Sequence, residues 1–194
     1  MTDAVRVLKD VIITRRSVRQ YTDAKVDVDR LASLVRLGTW APSGGNAQTW
    51  RFIVVIDEAV IRAIHAASPG MAACPPAVIA ICQDQNLAKE RGGSFGRDRC
   101  APMDAAMAAQ TIMLAAHAED LGTCAVLSFH PPSVQKILGL PEGIAPELLL
   151  MIGSPAQVPE PPARMLDGLI HFNRWEDPDP REGRTRTEDG GDVG

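Results

Sequence analysis

The chain of 194 residues, 45% of them hydrophobic, carries a net charge of −4 and an isoelectric point near 5.6. That length suits one well-buried domain with a tail, and the acidic balance gives no general attraction to nucleic acid or an anionic membrane, so neither is expected as a partner. Asp3, Arg6, Lys9 and Asp10 interrupt the N-terminal apolar residues, and no run reaches the ~18 apolar residues of a membrane span, which predicts a soluble, cytoplasmic protein. Cys74, Cys82, Cys100 and Cys124 are widely spaced and have no suitably placed partner among His65, His117, His130 and His171. Neither a zinc site nor a disulfide framework is signalled, and no metal is expected.

Val7, Leu8, Val11 and Ile12 fall at helical spacing and predict a first helix, capped by Asp3 and ending near Thr14. Immediately after it, Arg15, Arg16 and Arg19 place three guanidinium groups, with the Ser17 hydroxyl, within five residues. Planar forks of N–H donors beside a hydroxyl suit a phosphate, and a solvated basic turn is the alternative reading. Asp27 or Asp29 caps a second helix through Leu31, Leu34, Val35 and Leu37, stopped by Gly38. Residues 40–50 form a loop rich in small and amide residues, with Trp40 and Trp50 at its ends expected to anchor it by burial.

The β-branched run at residues 52–56 reads as a buried strand, and Asp57-Glu58 opens a helix to about Ala67. Residues 77–82 form a second buried strand. Between 83 and 101 the periodicity disappears, and 91–97 reads as a mobile loop that lacks the Gly-Lys-Ser/Thr ending of a phosphate loop. Residues 102–121 predict an Ala- and Met-rich helix, apolar on nearly every face and therefore buried on most sides, with His117 a hydrogen-bonded core histidine. Residues 123–127 follow as a third strand, Pro131-Pro132-Ser133 opens a short helix to Leu138, and 148–152 is a fourth strand closed by Gly153. Pro155, Pro159, Pro161 and Pro162 impose an extended path, and 171–175 is expected to dock as an extended segment. From Asp177 onward, many charges and no aliphatic residue but Val193 predict disorder.

Four of these stretches resemble, in order, motifs of the FMN-dependent nitroreductase family. Arg15-Arg16-Ser17-Val18-Arg19 is similar to the family's N-terminal flavin-binding segment. Ala41-Pro42-Ser43-Gly44-Gly45-Asn46-Ala47-Gln48-Thr49-Trp50-Arg51-Phe52 resembles its Ala-Pro-Ser-x-x-Asn-x-Gln-x-Trp-x-Phe loop. Leu138-Gly139-Leu140-Pro141-Glu142-Gly143 and Gly153-Ser154-Pro155-Ala156 resemble its two late motifs, and Arg164 stands where the family has a basic residue. The resemblance covers about residues 10–175. It implies an α+β, three-layer nitroreductase-type fold with a mainly antiparallel central sheet surrounded by helices, in an interlocked homodimer. Residues 1–176 would form the FMN-binding domain and 177–194 a disordered charged tail.

By the same resemblance, Arg15, Ser17 and Arg164 would hold the FMN phosphate, with Arg16 contributing contacts and Arg19 facing the pyrimidine edge of the flavin. Pro42, Ser43, Gly44 and Asn46 would reach the cofactor from the other subunit, with Gln48 supporting their loop; a self-satisfied capping loop is the alternative. Leu127 and Ser128 stand where many relatives have Gly-Gly or Glu-Gly beside flavin N5, a departure that leaves substrate fit open. Phe95 and Arg97 would lie near the substrate channel, although an exposed loop aromatic is the plainer reading of Phe95. The implied function is ping-pong transfer of hydride from NAD(P)H through flavin N5 to a nitroaromatic, quinone or activated enone, with no catalytic side chain in the strict sense. Reductive dehalogenation, flavin fragmentation and a non-catalytic flavin-binding role are the alternatives.

Overall fold

A computed structural model describes residues 2–165 and 168–176; the expected tail from 177 lies outside them. The chain divides into two units, Met1–Pro159 and Glu160–Gly194. In the first, α1 (Asp3–Thr14) is followed by α2 (Val28–Gly38), β1 (Trp50–Val55), α3 (Glu58–Ala66), β2 (Ala77–Asp84), α4 (Gln85–Phe95), α5 (Ala101–Ala118), β3 (Gly122–Val126), α6 (Pro131–Ile137) and β4 (Ile144–Gly153).

Local chemistry sets several boundaries. The Asp27 carboxylate, not Asp29, caps α2 by accepting from Arg30 N at 3.1 Å, and Asp57 caps α3 by accepting from Ala59 N at 2.8 Å. Asp3 does not cap α1: it lies in the first turn, and Thr2 holds the cap position without a side-chain bond. None of the residues of α1 is buried.

The sheet order is β1-β2-β4-β3, and every pair is antiparallel, with registers such as Ile53↔Ala80, Ile79↔Leu150 and Cys124↔Met151. The two central strands are covered on both faces, so they read as continuous apolar runs rather than alternating ones. Ile79, Ile81, Leu148, Leu150 and Ile152 pack against Leu31 and Leu34 of α2 and Ala105, Ala109 and Ile112 of α5. On the other face, Val78, Ala80, Leu149 and Met151 meet Ile61 and Ile64 of α3 and Val134 of α6. Each fully buried aliphatic side chain of this kind contributes about 1.5–3 kcal/mol. The result is helix, sheet and helix in three layers, an α+β architecture.

Two expectations are corrected. Residues 91–97 are not a loop: Asp84 caps α4 by accepting from Leu87 N at 3.0 Å, and a single π-helical turn, Gly96–Cys100, joins α4 to α5. The backbone leaves helical geometry only at Gly93, with φ 62° and ψ −155°, a conformation open to glycine. Gly96 is a packing requirement rather than a breaker, because a β-carbon there would stand 2.7 Å from the Ala88 carbonyl oxygen. Helix α5, in turn, is buried along one side only; Met103, Ala106, Met107 and Gln110 are exposed.

In the second unit, His171 and Trp175 stack at 4.3 Å between ring centroids. That local turn replaces the expected extended segment.

Candidate functional site

After α1 the chain runs along the outer edge of β3. Ser17 pairs with Thr123 in a parallel bridge, and Val18 N donates to Thr123 O at 2.9 Å. Gly122 permits this approach, since a β-carbon there would meet the Val18 side chain at 2.8 Å. Tyr21 Oη donates to Val18 O at 2.6 Å and fixes the far end of the segment.

The three arginines are thereby spread along one edge. Arg16 Nη1 donates to the carbonyls of Ile13 and Arg15, each at 2.8 Å, and Arg19 Nη1 reaches Ser17 O at 3.3 Å. Among the described residues none of the three has a carboxylate partner. Arg15 and Arg16 line a cavity of about 150 Å³ together with His117 and Thr123. The Thr123 hydroxyl is buried without a hydrogen-bond partner, and His117 Nε2 lies 2.8 Å from Thr14 Oγ1. Burial, then the charges of Arg15 and Arg16, push the His117 pKa below the ordinary imidazole value. Burial raises the Tyr21 and Cys124 pKa values, and the Arg19 charge opposes the rise at both. The cluster is thus an under-neutralised cationic edge with an unpaired hydroxyl inside it, which is what an anion requires.

The second predicted loop is held differently. Gly44 N donates to Asp104 Oδ1 at 3.1 Å, Gln48 N donates to Ser43 Oγ at 3.1 Å, and Gln48 Nε2 donates to Asn46 Oδ1 at 2.7 Å. Arg91 Nη1 donates to Ala47 O at 3.0 Å. Gly45, Asn46 and Gln48 have φ of 57°, 54° and 50°, so two non-glycine residues occupy left-handed backbone at a cost of order 1 kcal/mol each. Gly44 packs against Cys100, whose Sγ would lie 3.2 Å from any added β-carbon. Asp104 is 2% exposed; burial raises its pKa, the Gly44 N–H opposes the rise, and Oδ2 has no partner. Trp50 is buried as expected, but Trp40 is 85% exposed and does not anchor the loop.

Phe95 and Asp104 line a second cavity, of about 180 Å³, with Gly44, Gly45 and Arg91, so the predicted substrate aromatic and the amide-rich loop do adjoin. Phe95 is 68% exposed. Arg97 is engaged by its neighbour Asp98, at 2.6 and 3.0 Å. Leu127 and Ser128 follow β3; Leu127 is 73% exposed, and Ser128 O accepts from Gly70 N at 2.9 Å. Arg164 is exposed in the second unit. A roomier cavity of about 360 Å³, bordered by Lys25, Arg62 and Cys74, contains none of the predicted residues, so size does not locate the site.

Within one chain the two predicted halves do not meet. The arginine segment borders β3 and the amide-rich loop leads into β1, and these are opposite edges of the sheet; three strand spacings separate them, roughly 14 Å. Sequence reasoning missed Asp104, Arg91 and Thr123, and it read His117 only as a core residue. A carboxylate at the head of an alanine-rich helix was the available signal for Asp104. Among the described residues there is no group of His, Cys, Asp and Glu that could hold a metal and no helix long and apolar enough to cross a membrane.

Fold and site together define an α+β domain with a cationic, anion-suited cavity at one sheet edge and a pre-ordered amide loop at the other. The chain belongs to the nitroreductase family, whose model matches residues 12–73 and 65–154. It is 28% identical over 186 residues to an NADH dehydrogenase of Thermus thermophilus, covering 81% of this chain and 91% of that one. It is 27% identical over 207 residues to a 5,6-dimethylbenzimidazole synthase of Rhodobacter capsulatus, covering 92% and 95%. The fold is shared with an NADPH:FMN oxidoreductase of Vibrio harveyi solved with NAD+, at a TM-score of 0.78 and 20% identity, over 92% of this chain and 82% of that one.

Proposed function

We propose that this nitroreductase-family oxidoreductase is an NAD(P)H-dependent FMN enzyme whose site is completed by a second copy of the chain. The observation that carries the reading is the pairing of an unsatisfied cationic cavity beside β3 with a loop on the opposite edge that cannot reach it in the same chain. The donor set fits the group: Arg15, Arg16 and the unpartnered Thr123 hydroxyl suit a phosphate. Ala125 and, just beyond the strand, Leu127 are exposed and leave the end of β3 open to a flat ring.

When bound, FMN supplies hydride transfer from NAD(P)H to an electrophilic acceptor such as a nitroaromatic, quinone or activated enone, in two half-reactions. The protein's part is binding, orientation and charge. Arg15 would hold the phosphate together with Arg16 and the Thr123 hydroxyl of the same cavity, with Ser17, which pairs with Thr123, beside them. Arg19, whose charge already acts on Tyr21 and Cys124, would face the pyrimidine edge and oppose the negative charge that reduction leaves there. Pro42, Ser43, Gly44 and Asn46 close the site from the partner copy, their loop pre-ordered by Asp104 and Arg91. Phe95 and Arg97 border the acceptor's approach.

An absorbance spectrum of the purified protein, followed by anaerobic NAD(P)H titration, tests cofactor and redox competence together. A yellow protein bleached by NAD(P)H is expected; a colourless one that stays so when FMN is added overturns the reading. Light scattering at micromolar concentration should return a dimer, and a monomer would contradict a shared site. The likeness to the R. capsulatus synthase supports a second reading, formation of 5,6-dimethylbenzimidazole, which mass spectrometry of the products would reveal.

A further inference from the structure

His117 lies outside the motifs that carry the family resemblance, yet it lines the same cavity as Arg15, Arg16 and Thr123. Its protonation pattern follows from its neighbours. Thr14 Oγ1 has a single hydrogen, which it donates to Asp10 O at 2.6 Å. In the 2.8 Å contact between Thr14 Oγ1 and His117 Nε2, the hydrogen must therefore come from Nε2. Nδ1 is left with a lone pair and is the atom at which a further proton adds.

The charged groups that act on the ring are Arg15 and Arg16 from the segment after α1 and Asp120 from the turn after α5. The remaining walls, from Leu121, Gly122 and Thr123 and from Pro155 and Val158, carry no charge. Burial and the two arginines hold the ring neutral, outweighing the contrary effect of Asp120. A phosphate reverses that balance: it cancels the field of the arginines and favours an N–H⁺ over a lone pair on the ring.

We propose that His117 is a proton-linked contact of the phosphate site. When the phosphate enters the cavity, a proton moves from solvent to Nδ1, and the imidazolium becomes a third cation beside Arg15 and Arg16. The inference rests on the FMN reading of this cavity. Its sign is definite. The free ring titrates below its ordinary value and the liganded ring above the free one, so affinity rises as pH falls between the two. The advantage is confined to the phosphorylated flavin; riboflavin gains nothing from it.

Calorimetric titration of FMN into the protein at pH 7.5, in buffers of different ionisation enthalpy, counts the protons taken up. At that pH the FMN phosphate is already a dianion, its second pKa being about 6. Roughly 0.4–0.7 proton per site is expected for the wild type and close to none for His117→Gln. At pH 7 the variant should bind FMN about 3- to 10-fold more weakly, the loss that proton uptake on this scale implies, while riboflavin changes less than about twofold. FMN binding without proton uptake by the wild type, equal uptake by both proteins, or an equal loss of FMN and riboflavin affinity in the variant overturns the proposal. Failure of the wild type to bind FMN at all is a different result: it overturns the cofactor reading, and this inference with it.

Discussion

The two sheet edges differ in how far each is satisfied on its own. At the β1 edge, Ser43, Gly44, Asn46, Ala47 and Gln48 are each tied by hydrogen bonds to one another, Asp104 or Arg91, and Asp104 Oδ2 alone among these polar atoms is left buried without a partner. At the β3 edge, none of the three guanidinium groups forms an ion pair among the described residues, although Asp120 lines the same cavity, and a buried hydroxyl has no partner. A region that spends its polar groups internally keeps its shape and can present it; one that leaves them open awaits a ligand. The first supplies geometry and the second supplies affinity.

Substitutions should therefore fall into two groups. The largest effect is expected at the open edge: Arg15→Ala should weaken FMN binding by roughly 1.5–3 kcal/mol, the scale of a hydrogen bond to a charged group, read from flavin fluorescence. An unchanged dissociation constant would remove the phosphate assignment. At the closed edge the effect is on stability. Gly44→Val forces a side chain onto Cys100, whose Cβ and Sγ lie 3.1 and 3.2 Å from the added β-carbon, and should cost about 1–3 kcal/mol in urea unfolding.

Asp104→Ala, which leaves Gly44 N–H without its acceptor, should cost about 1–2 kcal/mol, with Asp104→Asn recovering most of it. The pH dependence sharpens this case. Burial raises the folded-state pKa of Asp104, so the native chain binds the more protons and stability falls as pH rises above the unfolded value of about 4. The difference in stability between wild type and Asp104→Asn, measured from pH 4 upward, should contain that slope; parallel profiles would show that Asp104 does not titrate there. The smallest effect is expected for Arg97→Ala, whose exposed pair with Asp98 is screened by solvent, so that urea unfolding should scarcely distinguish the variant from the wild type.

What the sequence made legible follows the same division. Strands β2 and β4 declare themselves because sheet burial on both faces selects unbroken runs such as Val78-Ile79-Ala80-Ile81, whereas β1, a half-buried edge strand, shows through its β-branched run. Helices α2 and α3 declare themselves through Asp27 and Asp57. The joint between α4 and α5 was hidden because Gly92, Gly93 and Gly96 look alike in sequence, whereas only Gly93 has positive φ and Gly96 is a packing contact. The exposed side of α5 was hidden because Met103 and Met107 are as apolar as residues that face the core. Motif resemblance pointed to Arg15, Ser17 and Asn46. It could not find His117 and Thr123, which join Arg15 through contacts more than 100 residues apart in sequence, such as that between Thr14 and His117.

The π-helical turn Gly96–Cys100 has an evolutionary consequence. Such a turn is equivalent to one extra residue spliced into a continuous helix. Its loss by a single-codon deletion would leave α5 intact but rotate everything before it by about 100°. Arg91 would swing away from the Ala47 carbonyl, and Phe95 away from the cavity it now borders. One position of chain length therefore sets both the brace on the amide loop and the place of Phe95 at the cavity, so a change of a single residue there would reshape that cavity without touching the sheet.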